Sequence, residues 1–147
     1  MKGIIFTATR AEYGLLRYTI KKIQKFMDLY VLVGGAHLSI TDGYTVNELI
    51  KDRIENIIEI PFLCSSKKSM ALTNSIGNGL IQISQVFNYI KPDFLMILGD
   101  RYEIFIPAIS SMMCNIPIIH LCGGERTEGL IDEQVRHAIT KMAHIHM

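Results

Sequence analysis

Short apolar runs alternate along this chain with stretches whose apolar residues recur every three or four positions. Residues 3–8, GIIFTA, read as a strand. Leu15, Leu16, Thr19, Ile20, Ile23 and Phe26 then recur at helical spacing, with Arg17, Lys21, Lys22 and Lys25 on the opposite face. Residues 29–33 form a second apolar run, ended by Gly34-Gly35. A helix is expected over 44–51 and a strand over 57–60, stopped by Pro61, and the polar stretch 64–68 reads as a mobile loop. Ile76, Leu80, Ile83, Phe87 and Ile90 repeat at steps of four and three, which predicts a long helix stopping at Lys91-Pro92. A strand over 94–98, a helix over 102–114, a strand over 116–121 and a last helix from about residue 131 complete the pattern. No internal repeat or low-complexity segment interrupts it.

Alternating strands and helices, with strands that are apolar almost throughout, predict an α/β fold. Its parallel, Rossmann-like sheet has helices on both faces. The length of 147 residues, 49% hydrophobic, suits one domain with a sizeable core. The 15 basic and 14 acidic residues nearly cancel, so no basic field recruits nucleic acid or an anionic membrane. Cys64, Cys114 and Cys122 show neither metal spacing nor an even-numbered disulfide framework. Cys114 falls in an apolar helical pattern and is expected in the core. Free thiols fit a reducing cytoplasm. The start of the chain lacks a signal-peptide core, and Ser110, Ser111, Asn115 and Pro117 break the most apolar stretch, which argues against a membrane span. The last residues, AHIHM, stop on an apolar stretch without a polar tail, as though the chain were one half of a larger fold.

The chemistry gathers where the strands over 94–98 and 116–121 end. Gly99-Asp100-Arg101 follows the first, and GGERTEG at 123–129 follows the second. In an open parallel sheet, ligands bind outside the carboxyl ends of the strands. Asp100 can serve as acid or base beside low-dielectric walls, or can cap the next helix; residue type does not choose between these. Gly123 and Gly124 let backbone approach a ligand. Glu125, Asp132 and Glu133 add carboxylates that can divide acid and base duties, although Asp132 and Glu133 also suit a helix N-terminus. Arg126 can hold a phosphate or pair with Glu128. His137 falls one turn after Glu133 on the same helix face. At the first strand end, Thr7-Ala8-Thr9-Arg10 lacks GxGxxG, which weakens a dinucleotide reading. Arg10 there can meet a pyrophosphate or remain a solvated charge. His37 is placed near the same edge, as a ligand contact or as a structural residue. His144 and His146 lack zinc-site spacing, and no metal or other cofactor is called for.

Five segments carry a resemblance: TATRAEYGLL at 7–16, GAHLS at 35–39, DGYT at 42–45, LGDRYE at 98–103 and GGERTEGLIDEQVRHAITKMAH at 123–144. In order and content they resemble the hydrolysing UDP-N-acetylglucosamine 2-epimerases of sialic-acid-type sugar biosynthesis, over the N-terminal half of a typical member. The resemblance implies a glycosyltransferase-B-type fold, with substrate between two Rossmann-like halves. Residues 1–147 would form the N-terminal domain, and a C-terminal nucleotide-binding domain would lie outside this chain. The implied reaction converts UDP-N-acetylglucosamine and water to N-acetylmannosamine and UDP. A base removes the C2 proton, UDP leaves, and water adds with inversion at C2.

The same resemblance places acid/base carboxylates at Asp100, Asp132 and Glu133. It places Arg10 near the diphosphate and His37 in the cleft wall, and counts Arg101, Gly123, Gly124, Arg126 and His137 as substrate contacts. It implies a UDP-sugar partner and a homo-oligomer, dimer or tetramer, in the full-length protein. Two departures stand out. Cys122 occupies a position where the family pattern has a catalytic glutamate, two residues after the histidine equivalent to His120, and this assigns that duty to Glu125 or to a different division of roles. Ala8 stands where many members have glycine. Three other readings remain open at this point: a non-hydrolysing epimerase, a hydrolysing epimerase of a UDP-2,4-diacetamido sugar, and a non-catalytic nucleotide-sugar-binding half-domain.

Overall fold

A computed structural model describes residues 1–63, 69–123 and 131–147. The strands are β1 (Lys2–Thr7), β2 (Asp28–Val33), β3 (Ile57–Glu59), β4 (Phe94–Leu98), β5 (Ile118–Leu121) and β6 (Ile145–His146). They alternate with helices α1 (Arg10–Ile23), α2 (Val46–Lys51), α3 (Ser69–Ile90), α4 (Tyr102–Met113) and α5 (Ile131–Met142), and a 3-10 turn, Gly35–Leu38, follows β2. Every strand pairing is parallel, and the sheet order is β3-β2-β1-β4-β5-β6. The chain builds outward from β1 in one direction, then crosses back and builds outward from β4 in the other. A crevice therefore opens between the carboxyl ends of β1 and β4, at the topological switch point.

Side chains alternate between the two faces of each strand, so a strand buried on both faces must be apolar at successive positions. Ile4, Phe6, Leu95, Ile97 and Ile118 pack with Ile83, Phe87, Ile104, Val135 and Ile139 of α3, α4 and α5. Ile5, Leu29, Val31, Val33 and Met96 pack with Leu16, Ile20, Val46 and Leu49 of α1 and α2. Asp52, at the end of α2, joins the two helices of this second layer. It accepts from Tyr13 Oη at 2.6 Å and from Lys21 Nζ at 3.0 Å, and it pairs with Arg17. Burial alone would raise its pKa; Arg17, Tyr13 and Lys21 outweigh that and hold it below the usual carboxylate range.

Several expectations need correction. Leu15 and Phe26 are exposed, not core. The buried stripe of α1 is Glu12, Tyr13, Leu16 and Ile20, and Leu15 projects about 100° away from Leu16, a single-residue step of the helix. Phe26 lies past the helix end, with the Lys22 ammonium 5.8 Å from its ring centre. Cys114 is exposed because it falls one residue beyond α4, at the helix cap. The helix expected from residue 44 begins at Val46, since Tyr44 has a φ of +47°. Strand β6 was not anticipated; its two residues are too few for a periodicity signal. The loop expected at 64–68 lies outside the described residues.

Gly35 fixes how the β1 and β2 ends meet. Its φ is +57°, and a Cβ there would sit 2.9 Å from the Ala8 carbonyl oxygen. Gly35→Ala is expected to lower unfolding free energy by about 2 kcal/mol, from left-handed strain together with that contact. Denaturant unfolding of the two proteins measures the difference.

Candidate active site

The β1 end is locked from below. Thr7 and His37 are wholly buried, with Thr7 Oγ1 3.1 Å from His37 Nε2 and Thr45 Oγ1 2.7 Å from His37 Nδ1. The His37 backbone N–H also donates to the Ala8 carbonyl at 3.2 Å. With both ring nitrogens engaged, His37 ties the loops after β1 and β2 together beneath the crevice. Burial pushes its pKa down to about 4.

This has a consequence for stability. Unfolded, His37 takes up a proton near pH 6.5; folded, it resists until about pH 4, so stability falls as pH drops through that window. Between pH 7.5 and 5 the loss attributable to His37 is expected to be about 2 kcal/mol. Comparing pH-dependent unfolding of the wild type with that of His37→Asn isolates it, because the acid-side slope shared with Asp52 remains in both.

Thr9 caps α1, and its hydroxyl accepts from the Glu12 N–H at 3.3 Å. Glu12 Oε2 reaches back one residue past the cap to accept from the Ala8 N–H at 2.7 Å, a variant of the capping box. The chain's own carboxylate thus occupies the place where a Rossmann turn commonly seats a phosphate. Burial raises the Glu12 pKa, and Glu103 nearby adds to the effect. Arg10, the first residue of α1, is exposed, with Nε 2.7 Å from Glu48 Oε1 of α2. Such an exposed pair contributes little to stability and opens readily to a competing anion. Arg101 makes a two-pronged contact with the buried Glu103, Nε–Oε2 3.2 Å and Nη2–Oε1 2.9 Å, while its own side chain stays half exposed.

At the β4 end, Gly99 has a φ of +86° and turns the chain so that Asp100 faces α5. Asp100 does not cap α4; the cap residue is Arg101, with no side-chain hydrogen bond. The Asp100 carboxylate instead takes both Nε, at 3.1 Å, and Nη2 of Arg136. Arg136 is only 3% exposed and also reaches Glu133 Oε2 at 3.4 Å through Nη1. Glu133 Oε1 is 2.9 Å from His137 Nε2, one turn on, as the spacing predicted. The array Asp100–Arg136–Glu133–His137 therefore runs from the β4 end along the first turns of α5. Asp132 lies half-buried in the same first turn.

The β5 end is fixed by His120. It is wholly buried, and its Nε2–H donates to the Gly99 carbonyl at 2.7 Å, while Nδ1 faces Thr140 Oγ1 at 3.5 Å. Burial lowers its pKa, which keeps the ring neutral and in one tautomer. Gly123 must be glycine: a Cβ would stand 2.6 Å from His120 Nδ1. Cys122 is exposed at the strand end with a φ of +57°. Gly124, Glu125 and Arg126 lie outside the described residues. Among the described residues no group of three or more His, Cys, Asp or Glu side chains is placed to hold a metal ion, and no helix is long and apolar enough to cross a membrane.

Arg136 is the residue that the pattern of acids and glycines did not single out. Its signal was a lone arginine in phase with Val135 and Ile139, on the buried stripe of a helix. His120 and Glu12 were likewise unmarked as site supports.

A six-stranded parallel sheet in this order, with charged side chains converging at its switch point, is one Rossmann-like domain of the glycosyltransferase-B type. The family model for UDP-N-acetylglucosamine 2-epimerase matches residues 21–147, and the chain belongs to that family. It is 40% identical, over 99% of its length and 39% of the relative's, to the UDP-N,N'-diacetylbacillosamine 2-epimerase (hydrolyzing) of Legionella pneumophila. It is 41% identical, over 99% of its length and 38% of the relative's, to the GDP/UDP-N,N'-diacetylbacillosamine 2-epimerase (hydrolyzing) of Campylobacter jejuni. Among solved structures, the UDP-GlcNAc 2-epimerase of Neisseria meningitidis, bound to UDP-GlcNAc, superposes with a TM-score of 0.79 at 21% identity, over 97% of this chain and 39% of that one. The chain thus spans well under half the length of these relatives.

Proposed function

We propose that this domain carries the acid/base side of a hydrolysing 2-epimerase acting on a UDP-linked 2-acetamido sugar. The observation that supports this most is the Asp100 carboxylate, held at the switch point by the buried Arg136, which also contacts Glu133. Two carboxylates brought to one place by a shared buried guanidinium supply two groups on the chain that can take or give a proton, as removal of a proton at C2 and its return on the opposite face require.

In this reading, one carboxylate takes the C2 proton and the C1–O bond to UDP breaks. Water then adds its hydroxyl to C1 while a proton returns to C2 from the other side. The net result is free UDP and the C2-inverted sugar. Asp100, Asp132 and Glu133 are the acid/base candidates of the described residues, and Glu125, six positions before Ile131 in the sequence, is the fourth candidate. Arg10, Arg101, His137 and Gly123 are the proposed substrate contacts of the described residues, with His37 supporting the wall, and Gly124 and Arg126 are proposed as contacts from the sequence. A second, C-terminal domain supplies the opposite side of the cleft and most contacts to the nucleotide. No metal or organic cofactor enters the scheme. A cytoplasmic setting goes with it, since the exposed thiols of Cys114 and Cys122 suit a reducing compartment.

For the sugar itself, the names of the 40% and 41% identical relatives favour UDP-N,N'-diacetylbacillosamine. UDP-N-acetylglucosamine, with N-acetylmannosamine as product, is the second reading, supported by the family description and the sequence motifs. Supplying the complete gene product with each UDP-sugar and measuring UDP release separates them. Faster release from the diacetamido sugar supports the first reading. Faster release from UDP-N-acetylglucosamine replaces it with the second. Sugar epimerised with UDP still attached would make the enzyme non-hydrolysing.

A further inference from the structure

No step of the proposed reaction uses Glu103, although it is a carboxylate at the mouth of the crevice. It is the second residue of α4 and is buried. Both its oxygens accept from one side of Arg101, from Nε at 3.2 Å and from Nη2 at 2.9 Å. A carboxylate is buried at acceptable cost only when paired, and here the partner keeps its own side chain 49% exposed. The pair is therefore lopsided. The anion is sunk in the fold, and the Nη1 end of the guanidinium makes no hydrogen bond among the described residues. A second buried carboxylate, Glu12 of α1, acts electrostatically on both Arg101 and Glu103. Its Oε2 is taken by the Ala8 N–H, and its Oε1 is buried without a hydrogen-bond partner among the described residues. Since α1 and α4 start at the ends of the adjacent strands β1 and β4, Arg101 feels carboxylates from both walls of the crevice.

We propose that Glu103 is a positioning residue, which pins one side of Arg101 so that the Nη1 end meets the β-phosphate of the substrate. The assignment rests on reading this site as one for a UDP-sugar. A guanidinium is a rigid planar fork of donors, so fixing one side aims the rest. Asp100, the preceding residue, is turned toward α5 and is the proposed proton-transfer group at C2. C1 is bonded to C2 and carries the oxygen of the β-phosphate. A cation one residue on from Asp100, drawn toward Glu12 of α1, is therefore placed for the phosphate that leaves. Arg10, the first residue of α1, belongs to the same side of the crevice. Negative charge grows on that phosphate as the C1–O bond breaks, and a donor already aimed at it stabilises the charge without reorganising. An arginine left loose would have to be immobilised on binding, at a cost in affinity. Glu103 immobilises it when the domain folds.

The test is calorimetric titration of the complete gene product with UDP and with UMP, which lacks the β-phosphate. Arg101→Met is expected to weaken UDP binding about 30-fold, the loss of a charge-assisted contact. Glu103→Gln keeps the size and one acceptor oxygen, and should weaken UDP about fivefold by loosening the arginine. UMP binding should change by less than about twofold in both. The double variant should bind UDP no more weakly than Arg101→Met alone, because Glu103 acts through Arg101 and has nothing left to position. Arg101→Met leaves Glu103 buried without its cation. If that variant fails to fold, Arg101→Lys makes the same comparison, since it keeps a cation there but lacks the second set of donors, and about tenfold weaker UDP binding is expected. Unchanged UDP affinity in the Arg101 variants, additive losses in the double variant, or UMP weakened as much as UDP would each overturn the proposal. A wild type that binds no UDP would overturn the UDP-sugar reading and this assignment with it. Wild-type binding with indifferent variants would overturn the assignment alone.

Discussion

Asp100→Asn is expected to reduce kcat by about 10³-fold while KM changes only a few-fold, because in the proposed reaction it removes a group that exchanges a proton with the sugar. Asn retains the size and one acceptor oxygen, so the turn at Gly99 and its hydrogen bonds to Leu121 and His120 stay in place. The variant keeps its fold at a stability cost of about 1–2 kcal/mol, the result of leaving the Arg136 guanidinium with one carboxylate fewer. The informative comparison is between turnover and exchange. If Asp100 is the base at C2, Asp100→Asn loses exchange of the C2 hydrogen with solvent together with UDP release. Were it needed only later, exchange would survive while release failed. Rapid-quench analysis of both signals on wild type and variant tells these apart.

Arg136→Met should have the largest effect on stability. The arginine is 3% exposed, and Asp100 and Glu133 are both less than a third exposed, so its removal leaves two partly buried carboxylates without their shared cation. Removing one partner of a buried pair costs about 3–5 kcal/mol, and the partial exposure of the acids places this case near about 3 kcal/mol. Activity should fall at least about 10²-fold, because Asp100 and Glu133 lose the buried group that holds both carboxylates in position. Arg136→Lys keeps the charge but cannot present two parallel donors to Asp100, so it should recover stability better than rate. Denaturant unfolding and steady-state kinetics of the three proteins provide the readout. A kcat unchanged in Arg136→Met would limit the arginine to a packing role.

The layers of this fold were legible in the chain because its strands are apolar on both faces and its helices are not. Residues 94–98 were read as β4 with the observed bounds, and α3 was found from Ile76, Leu80, Ile83, Phe87 and Ile90. Leu15 and Phe26 misled because apolar residues also occur singly on surfaces, and periodicity alone does not say which side of α1 meets the sheet. Cys114 misled because helix composition runs one residue past the last helical turn. At the site, Asp100, Glu133 and His137 were visible as chemistry-bearing residue types, and the (i, i+4) spacing of the last two predicted their contact. Their connection to Asp100 was hidden, because it depends on Arg136, and bringing residues 36 positions apart together is a property of the sheet order. His120 and Glu12 were hidden for a related reason. Each acts by satisfying backbone groups, Gly99 O and Ala8 N, whose need for a partner appears only once the turns are formed.

In the proposed reaction, carboxylates at the β4 and α5 ends couple proton transfer at C2 to loss of UDP. Incubating the complete gene product with its UDP-sugar in deuterated water, followed by proton and phosphorus NMR, tests it most directly. The expected result is free UDP with deuterium at C2 of the inverted free sugar, abolished in Asp100→Asn. Free UDP with protium retained at C2, or exchange undiminished in Asp100→Asn, would contradict the account.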